Sequence, residues 1–528
     1  MLKRKWLASA LVTLMLSGCA ATYESAEKAY QDGEYAQARE SWQKLALDGD
    51  SRSMYRLYTS TNRPSQEDID WLEKAAHADL ADAQYDFAMY LLEQEKFKEA
   101  QEYLTKASEN KQDRASKVLE QNKELFPLWL KAENNDAGAI KKLGEYYWSS
   151  KDYDQSLKWY ERCVDSYKSC SFYIGLAFDY GYGVSQNYEK SIYWYTKSAE
   201  QGYGPSARNL AWIYEDGKGV HIDKKKAVYW MKKAAETLWL GQAELGRYYL
   251  YGIGTEKDTA KAFSLLNEAV PHTKYASYHL ARMYYYGDGI EQDYKKSYEY
   301  FLKASKQNHS WSDYFIGNHY YYGYGKEKSY TQAYNWFEKA ANAGVVDAQF
   351  RLGWMLSEGE GGTANSRRAF QWYQKAAEQG SVAAQNNLGV MYAEGNGVEK
   401  DDYQAVKWYE KAARQGDDVG QYNLGLRYEI GKGVRQSNQL AAFWYAKSAQ
   451  QNHKKAQSYL NEILNKLKTK TVQIKKASVY KEGNFDSEEL LTLPQGQRVY
   501  VLSSGSQWTE VYVPKNHTIG YINNTHLY

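Results

Sequence analysis

Between Val382 and Gly416 the small and apolar residues Ala384, Leu388, Gly389, Met391 and Tyr392 recur three to four positions apart, which places them on one face of a helix. Gly395 and Gly397 stop that helix. A second is predicted from Asp402, with Ala405, Val406, Trp408, Tyr409 and Ala412 turned inward and Gly416 signalling its end. The unit is a helix hairpin, and neither helix can bury its apolar face alone, so copies must stack. Gly144, Gly175, Ala211, Gly246, Ala281, Gly317, Gly353, Gly389 and Gly425 mark equivalent positions, 31 residues apart once and 35 or 36 apart thereafter. Six residues past the marker stands a glycine in every unit but the first, where Ser150 replaces it.

Toward the N-terminus the pattern loosens. Residues 22–50 predict a hairpin with Ala26, Tyr30, Gly33, Tyr35, Ala38 and Trp42 in helical register. Met54–Ala76 and Ala83–Ser108 read as degenerate units, and Asp113–Asn135 as a shortened one whose second helix begins at Pro127. His453–Thr469 predicts a lysine-rich amphipathic helix over the last hairpin. Beyond it the period falls to two, with Val472 and Ile474, Val499 and Val501, and Val511 and Val513 separated by turns at Gly496, Gly505 and Gly520; this predicts strands.

The helical repeat resembles the Sel-1-like repeat family, a relative of the tetratricopeptide repeat with a longer glycine-containing turn. The resemblance rests on Leu388-Gly389, Tyr392, Gly395, Gly397-Val398, Trp408-Tyr409, Lys411-Ala412-Ala413 and Gln415-Gly416, and it covers about residues 136 to 450. It implies a mainly α fold, a right-handed α/α superhelical solenoid offering a concave surface to protein partners. Residues 471–528 resemble the bacterial Src-homology-3-like domain at Leu493-Pro494-Gln495-Gly496, Val499-Tyr500-Val501, Trp508, Val511 and Ile519-Gly520-Tyr521-Ile522. That resemblance implies a small all-β barrel and an association with peptidoglycan, in which Trp508 and Tyr521 either contact the cell wall or fill the barrel. The expected layout is therefore 1–18 signal peptide, 19–135 degenerate repeats, 136–470 solenoid with its capping helix, and 471–528 β domain.

The N-terminus sets the expected compartment. Lys3, Arg4 and Lys5 precede an apolar run from Trp6 to Leu16, as in a secretory signal, and the run is short for a membrane span. Leu16-Ser17-Gly18-Cys19 resembles a bacterial lipobox, which implies cleavage before Cys19 and acylation of it; the alternative is an ordinary signal cleaved near Ala21. Acyl chains contribute about 0.8 kcal/mol per buried methylene, so an acylated Cys19 anchors the chain to a membrane. Ala20 after the cysteine implies, by the sorting rule of such lipoproteins, an outer membrane location facing the periplasm, or the cell membrane where there is only one. Of the remaining cysteines, Cys163 and Cys170 bracket the turn where the period shrinks, and a cysteine-rich branch of the Sel-1-like family implies a disulfide between them.

Net charge is +2 for the whole chain and −1 without the three basic residues of the leader, which supplies no electrostatic footprint for nucleic acid. Six prolines and 25% charged residues suit a folded array. The G-x-G triplets follow helices rather than strands and no phosphate-loop motif occurs, so they read as turns. Nine histidines, among them His279, His309 and His319, show no metal-ligand spacing, and we expect no enzyme, cofactor or metal centre.

The unusual feature is 53 tyrosines. One per unit belongs to the repeat, but Trp148, Tyr180, Tyr182, Tyr251, Tyr285, Tyr286, Tyr321, Tyr322 and Tyr324 exceed that requirement and cluster at the end of the first helix and its turn. They either stack between units or form a contact surface for periplasmic or envelope proteins. A polysaccharide is a further candidate partner. The expected function is a lipoprotein scaffold in an envelope assembly, with exopolysaccharide secretion as one setting implied by resemblance to Sel-1-like lipoproteins. Peptidoglycan binding through residues 471–528 and immunity against a periplasmic toxin are the alternatives.

Overall fold

The structure is a computed structural model that describes residues 22–514 and 517–528; the leader and Cys19 lie outside the described residues. The chain divides into two compact units, one up to Gly241 and one from Gln242. Both are built from helix hairpins, and among the described residues no helix is long and apolar enough to cross a membrane.

The hairpin Val382–Glu394 and Asp402–Arg414 shows why the sequence pattern works. Leu388 and Ala384 are fully buried, and the Tyr409 ring of the second helix lies over Gly389 so closely that a Cβ there would come within 2.7 Å of it. The marker is small because a ring or branched side chain from the partner helix occupies the space a side chain would need. Gly395 ends the first helix with φ +76°, a left-handed conformation that costs glycine little. Gly397, at φ +74°, is needed for a different reason, since its Cα passes so near the preceding hairpin that a Cβ would meet the Ser366 carbonyl at 2.3 Å. The Asp401 carboxylate then accepts from the Gln404 N–H at 3.0 Å and caps the second helix, a role taken by Asp293, Ser329, Asn365 and Ser437 in neighbouring copies.

Successive hairpins are joined by a glutamine ladder. Gln385 donates to the Ala377 carbonyl at 3.1 Å and accepts from Gln415 at 2.8 Å. Gln349 with Gln379, and Gln421 with Gln451, repeat the arrangement. The two preceding copies lack it: the glutamine position holds Ser277 in one hairpin and Asp313 in the next, where the buried Asp313 takes Lys339 at 2.9 Å with the Ser305 hydroxyl alongside.

In the first unit, Tyr23–Gln31 and Tyr35–Leu47 close around the fully buried Trp42 and Ala38. A single core then runs from Leu72 to Ala177. Pro127 sits in the first turn of the helix Phe126–Glu133. Cys163 and Cys170 form a disulfide with their Cα atoms 5.9 Å apart, tying Tyr153–Glu161 to Lys168–Tyr180 across the short turn.

At the other end of the second unit, the helix Lys454–Leu464 covers the last hairpin, and six strands follow: β1 Thr469–Thr471, β2 Lys476–Tyr480, β3 Glu489–Pro494, β4 Arg498–Ser504, β5 Trp508–Val513 and β6 Thr518–Asn523. They form an antiparallel sheet in the order β1-β4-β5-β6-β2-β3, and here the expected barrel is corrected: the sheet is open. Its edge strands β1 and β3 are not paired with each other. The outer edge of the three-residue β1 is taken by the chain's own end, where Thr471 and Tyr528 exchange both backbone hydrogen bonds at 3.0 and 3.1 Å, and β3 ends in Pro494, which has no N–H to offer. One face of the sheet buries Val479, Val499, Val511, Val513 and Ile522. Tyr512 and Leu502 instead pack onto Tyr445, Ala446, Leu460 and Ile463 of the last helices, and Gln450 donates to the His517 carbonyl at 2.6 Å.

Candidate interaction surface

The nine extra aromatic residues separate by their place in the repeat. Those four residues past the marker, Trp148, Tyr285 and Tyr321, turn into the seam between hairpins. Trp148 meets Tyr173 at 5.0 Å and Tyr182 at 5.8 Å; Tyr285 is buried against Phe315 and Tyr324; the Tyr321 hydroxyl donates to Glu360 of the next turn at 2.8 Å. Burial, reinforced by Glu360, pushes the Tyr321 phenol up to about 12. The residues inside the G-x-G turn, Tyr182 and Tyr324, stack flat on Tyr153 at 4.8 Å and Tyr294 at 4.5 Å. These five rings pack hairpin to hairpin.

Those five residues past the marker behave differently. Tyr180, Tyr251, Tyr286 and Tyr322 are all exposed. A helix repeats every 3.6 residues, so this position shares a stripe with those four, eight and eleven residues earlier. On Lys274–Tyr286 that stripe reads Tyr275, Tyr278, Arg282, Tyr286; on Ser310–Tyr322 it reads Trp311, Tyr314, Asn318, Tyr322; on Val346–Glu358 it holds Phe350 and Trp354 between Asp347 and Glu358. Tyr251, Tyr275, Tyr286, Trp311, Tyr322 and Trp354 each keep between 38% and 53% of their surface exposed. Sequence reasoning picked out the last rung of this stripe and missed the others. The overlooked signal was the helical spacing running back from Tyr286 and Tyr322.

The stripe is continuous from helix to helix. Arg282 lies 5.6 Å from the ring centres of both Tyr251 and Tyr286. Tyr278 and Tyr286 reach Phe315 of the next hairpin at 6.1 and 6.3 Å. Arg351 sits over Tyr321 at 5.0 Å and donates to the Tyr322 hydroxyl at 3.0 Å. Such guanidinium–ring contacts hold flat faces in place while leaving edges free.

Beneath lie three buried histidines, all held neutral. Burial, with Arg247, Arg282 and His309 nearby, drives His279 down to about 3; burial and Lys274 bring His309 to about 4. Burial also brings His319 to about 4, and its ring bridges the hairpin, with Nδ1–H donating to the Tyr324 carbonyl at 2.6 Å and Nε2 accepting from Ser297 at 3.3 Å. They are packing and hydrogen-bonding residues. Among the described residues no group of three histidines, cysteines or carboxylates is placed to hold a metal ion.

The sequence candidates Trp508 and Tyr521 fall on the sheet face that also carries Tyr512, at the end left clear of the helices. Trp508 meets Phe485 at 4.7 Å and Tyr480 at 5.7 Å, while Tyr521 pairs across the strands with Glu510, which together with burial raises its phenol. Phe485 is exposed. The sheet thus has one aromatic end against the solenoid and one in solvent.

An array of helix hairpins with a marker glycine and a G-x-G turn defines a repeat solenoid, and comparison with known families gives it a name. The Sel1 repeat model matches nine segments, 137–162, 169–203, 204–236, 239–270, 274–309, 312–345, 346–381, 382–417 and 419–453, together more than half of the chain. The chain belongs to the Sel1 repeat family. Among solved structures it is similar to a protective antigen present in uropathogenic Escherichia coli strains, which displays the same repeat fold, at 26% identity over 81% of this chain and 91% of that one, with a TM-score of 0.52. A Sel1 repeat protein from Oxalobacter formigenes matches at 28% identity over 56% of this chain and 86% of its own, TM-score 0.43. Helicobacter pylori cysteine-rich protein B matches at 28% identity over 24% and 94%, TM-score 0.21. No curated protein matches the sequence.

Proposed function

We propose that this protein is a non-catalytic scaffold that captures protein partners on the aromatic stripe of its second unit, and that Cys19, acylated, anchors it in the outer membrane with the solenoid facing the periplasm. The observation that carries the reading is the contiguous row of exposed rings from Tyr251 to Trp354, since monomeric surfaces scatter such residues and interfaces gather them. Membership of a family whose repeats generally mediate protein–protein interaction supports it. The partners on this reading are envelope proteins, and an exopolysaccharide-secretion assembly is one setting.

The test is capture from the native cells by brief cross-linking, comparing the wild type with the triple variant Y251A/Y286A/Y322A. The same partner set should vanish from the variant while its melting temperature moves by no more than about 3 °C, because exposed ring truncations cost little stability. Retention of every partner, or a collapse of the fold, would remove the support for the surface.

A second reading rests on the solvent end of the sheet. There Tyr480, Phe485 and Trp508 form an open aromatic cluster next to Tyr521, of a kind that stacks on sugar rings, so the C-terminal segment is assigned a peptidoglycan contact of the Src-homology-3-like type. Sedimentation with purified sacculi of the wild type and of W508A tests it; equal binding by both would sink it.

A further inference from the structure

Within the scaffold reading, on which this inference rests, the geometry points to an extended acidic polypeptide segment as the occupant of the stripe. It is held across Lys274–Tyr286, Ser310–Tyr322 and Val346–Glu358, with Arg282 and Arg351 receiving its carboxylates and Asn318 receiving a backbone N–H.

Charge comes first. Among the described residues neither Arg282 nor Arg351 has a carboxylate within ion-pair distance, whereas several other arginines on the helices of the same unit do: Arg427 with Asp402 at 3.0 Å, Arg368 with Glu338 at 3.2 Å, Arg414 with Glu410 at 2.6 Å. Arg282 and Arg351 are held by rings instead, and the Nε of each is buried without a hydrogen-bond partner. A guanidinium held by aromatic faces with no carboxylate beside it keeps an unpaired positive charge, which suits a carboxylate supplied from outside. Asp347 and Glu358, both exposed, close the receptor on the far side, so the acid-accepting stretch runs from Arg282 to Arg351.

The second observation is independent of charge. Asn318 stands midway along this stretch, on the same stripe as Tyr314 and Tyr322. It is 6% exposed, and its Oδ1 has no hydrogen-bond partner within the protein. Equivalent positions hold Trp354 and Val390, whose side chains carry no acceptor to satisfy. A buried acceptor without a donor is unusual, and the backbone N–H of a bound chain is the donor an extended peptide supplies at every residue. Spacing agrees: packed helices stand about 10 Å apart, and an extended strand covers that in about three residues, so one side chain in three meets each successive helix.

The experiment is selection of displayed random peptides of about twelve residues, long enough to cross the three helices, on the immobilised full chain. R282Q/R351Q, N318L and Y251A/Y286A/Y322A are run in parallel, with circular dichroism as the check on folding. Recovered peptides should be rich in Asp and Glu. In fluorescence anisotropy their Asn/Gln counterparts should bind about tenfold more weakly, the discrimination falling as salt rises. R282Q/R351Q should lose that discrimination, and N318L should weaken acidic and neutral peptides equally.

Peptides without an acidic bias that still require the three tyrosines would overturn the acidic receptor while leaving the scaffold reading intact. Enrichment independent of the tyrosines would overturn both. Equal binding of acidic peptides by R282Q/R351Q, no enrichment at all, or tighter binding of an oligogalacturonate than of any peptide would each overturn the inference.

Discussion

The hairpin at 382–414 and its relatives at 274–342 share one backbone and divide one set of positions. In both, the marker sits against a ring or its equivalent and the G-x-G turn abuts the preceding hairpin: Gly389 under Tyr409, Gly317 under Phe337. On the stripe they part company. Where the earlier copies present Tyr275, Tyr278, Arg282 and Tyr286, the later one presents Ala383, Asn386, Val390 and Glu394. The copy that best fits the repeat pattern has the plainest surface. Its regularity records what stacking demands, and departures from it record what something else demands.

Acid should open the widest gap between the two regions. His309 and His319 have folded values near 4 against an ordinary 6.5, so the neutral form is favoured by folding; their contribution is complete above about pH 6.5 and is lost as pH falls toward 4. At full protonation that is about 3 kcal/mol for each. The hairpins 274–342 should therefore open first in hydrogen exchange at pH 4.5, ahead of 382–414, which holds no histidine. Met283, Met355 and Met391 occupy the place of His319 in neighbouring copies, so H319M should remove part of the acid sensitivity; an unchanged pH profile would show that His319 is not responsible. Next in size is a core cut in the regular copy. Y409A removes the ring over Gly389 and should cost about 3 kcal/mol in urea unfolding, whereas the exposed rings of the stripe should not approach that figure. Smallest is the reverse graft: E394Y places a tyrosine on the plain stripe and should leave stability within about 0.5 kcal/mol, showing that the position is free for recognition.

Much of the fold was legible because stacking imposes a period. Marker, turn glycines and inward rings recur, and the change from helical to alternating spacing near residue 470 announced the sheet. The openness of that sheet was not legible, since alternating spacing predicts strands but not which of them pair, nor that Tyr528 returns to pair with Thr471. Nor was the glutamine ladder, whose partners such as Gln385 and Gln415 stand in different helices and look like ordinary polar surface. The candidate surface was half visible. Excess tyrosine drew attention to Tyr286 and Tyr322, but sequence left stacking and contact as equal alternatives for all nine residues, because adjacent positions on a helix point in different directions. Tyr285 and Tyr286 are neighbours in the chain; one is core and the other faces solvent. Arg282 and Asn318 were passed over because neither departs from normal composition, and only a missing carboxylate beside the one and a missing donor to the Oδ1 of the other set them apart.

The packing of Tyr512 and Leu502 onto Tyr445 and Leu460 also has a bearing on assembly. Self-similar hairpins invite open-ended growth, since the final copy offers the next molecule the same apolar ledge that each copy offers its successor. Here a sheet and the helix Lys454–Leu464 occupy that ledge, so head-to-tail polymerisation is blocked at this end and the array remains a finite, countable platform.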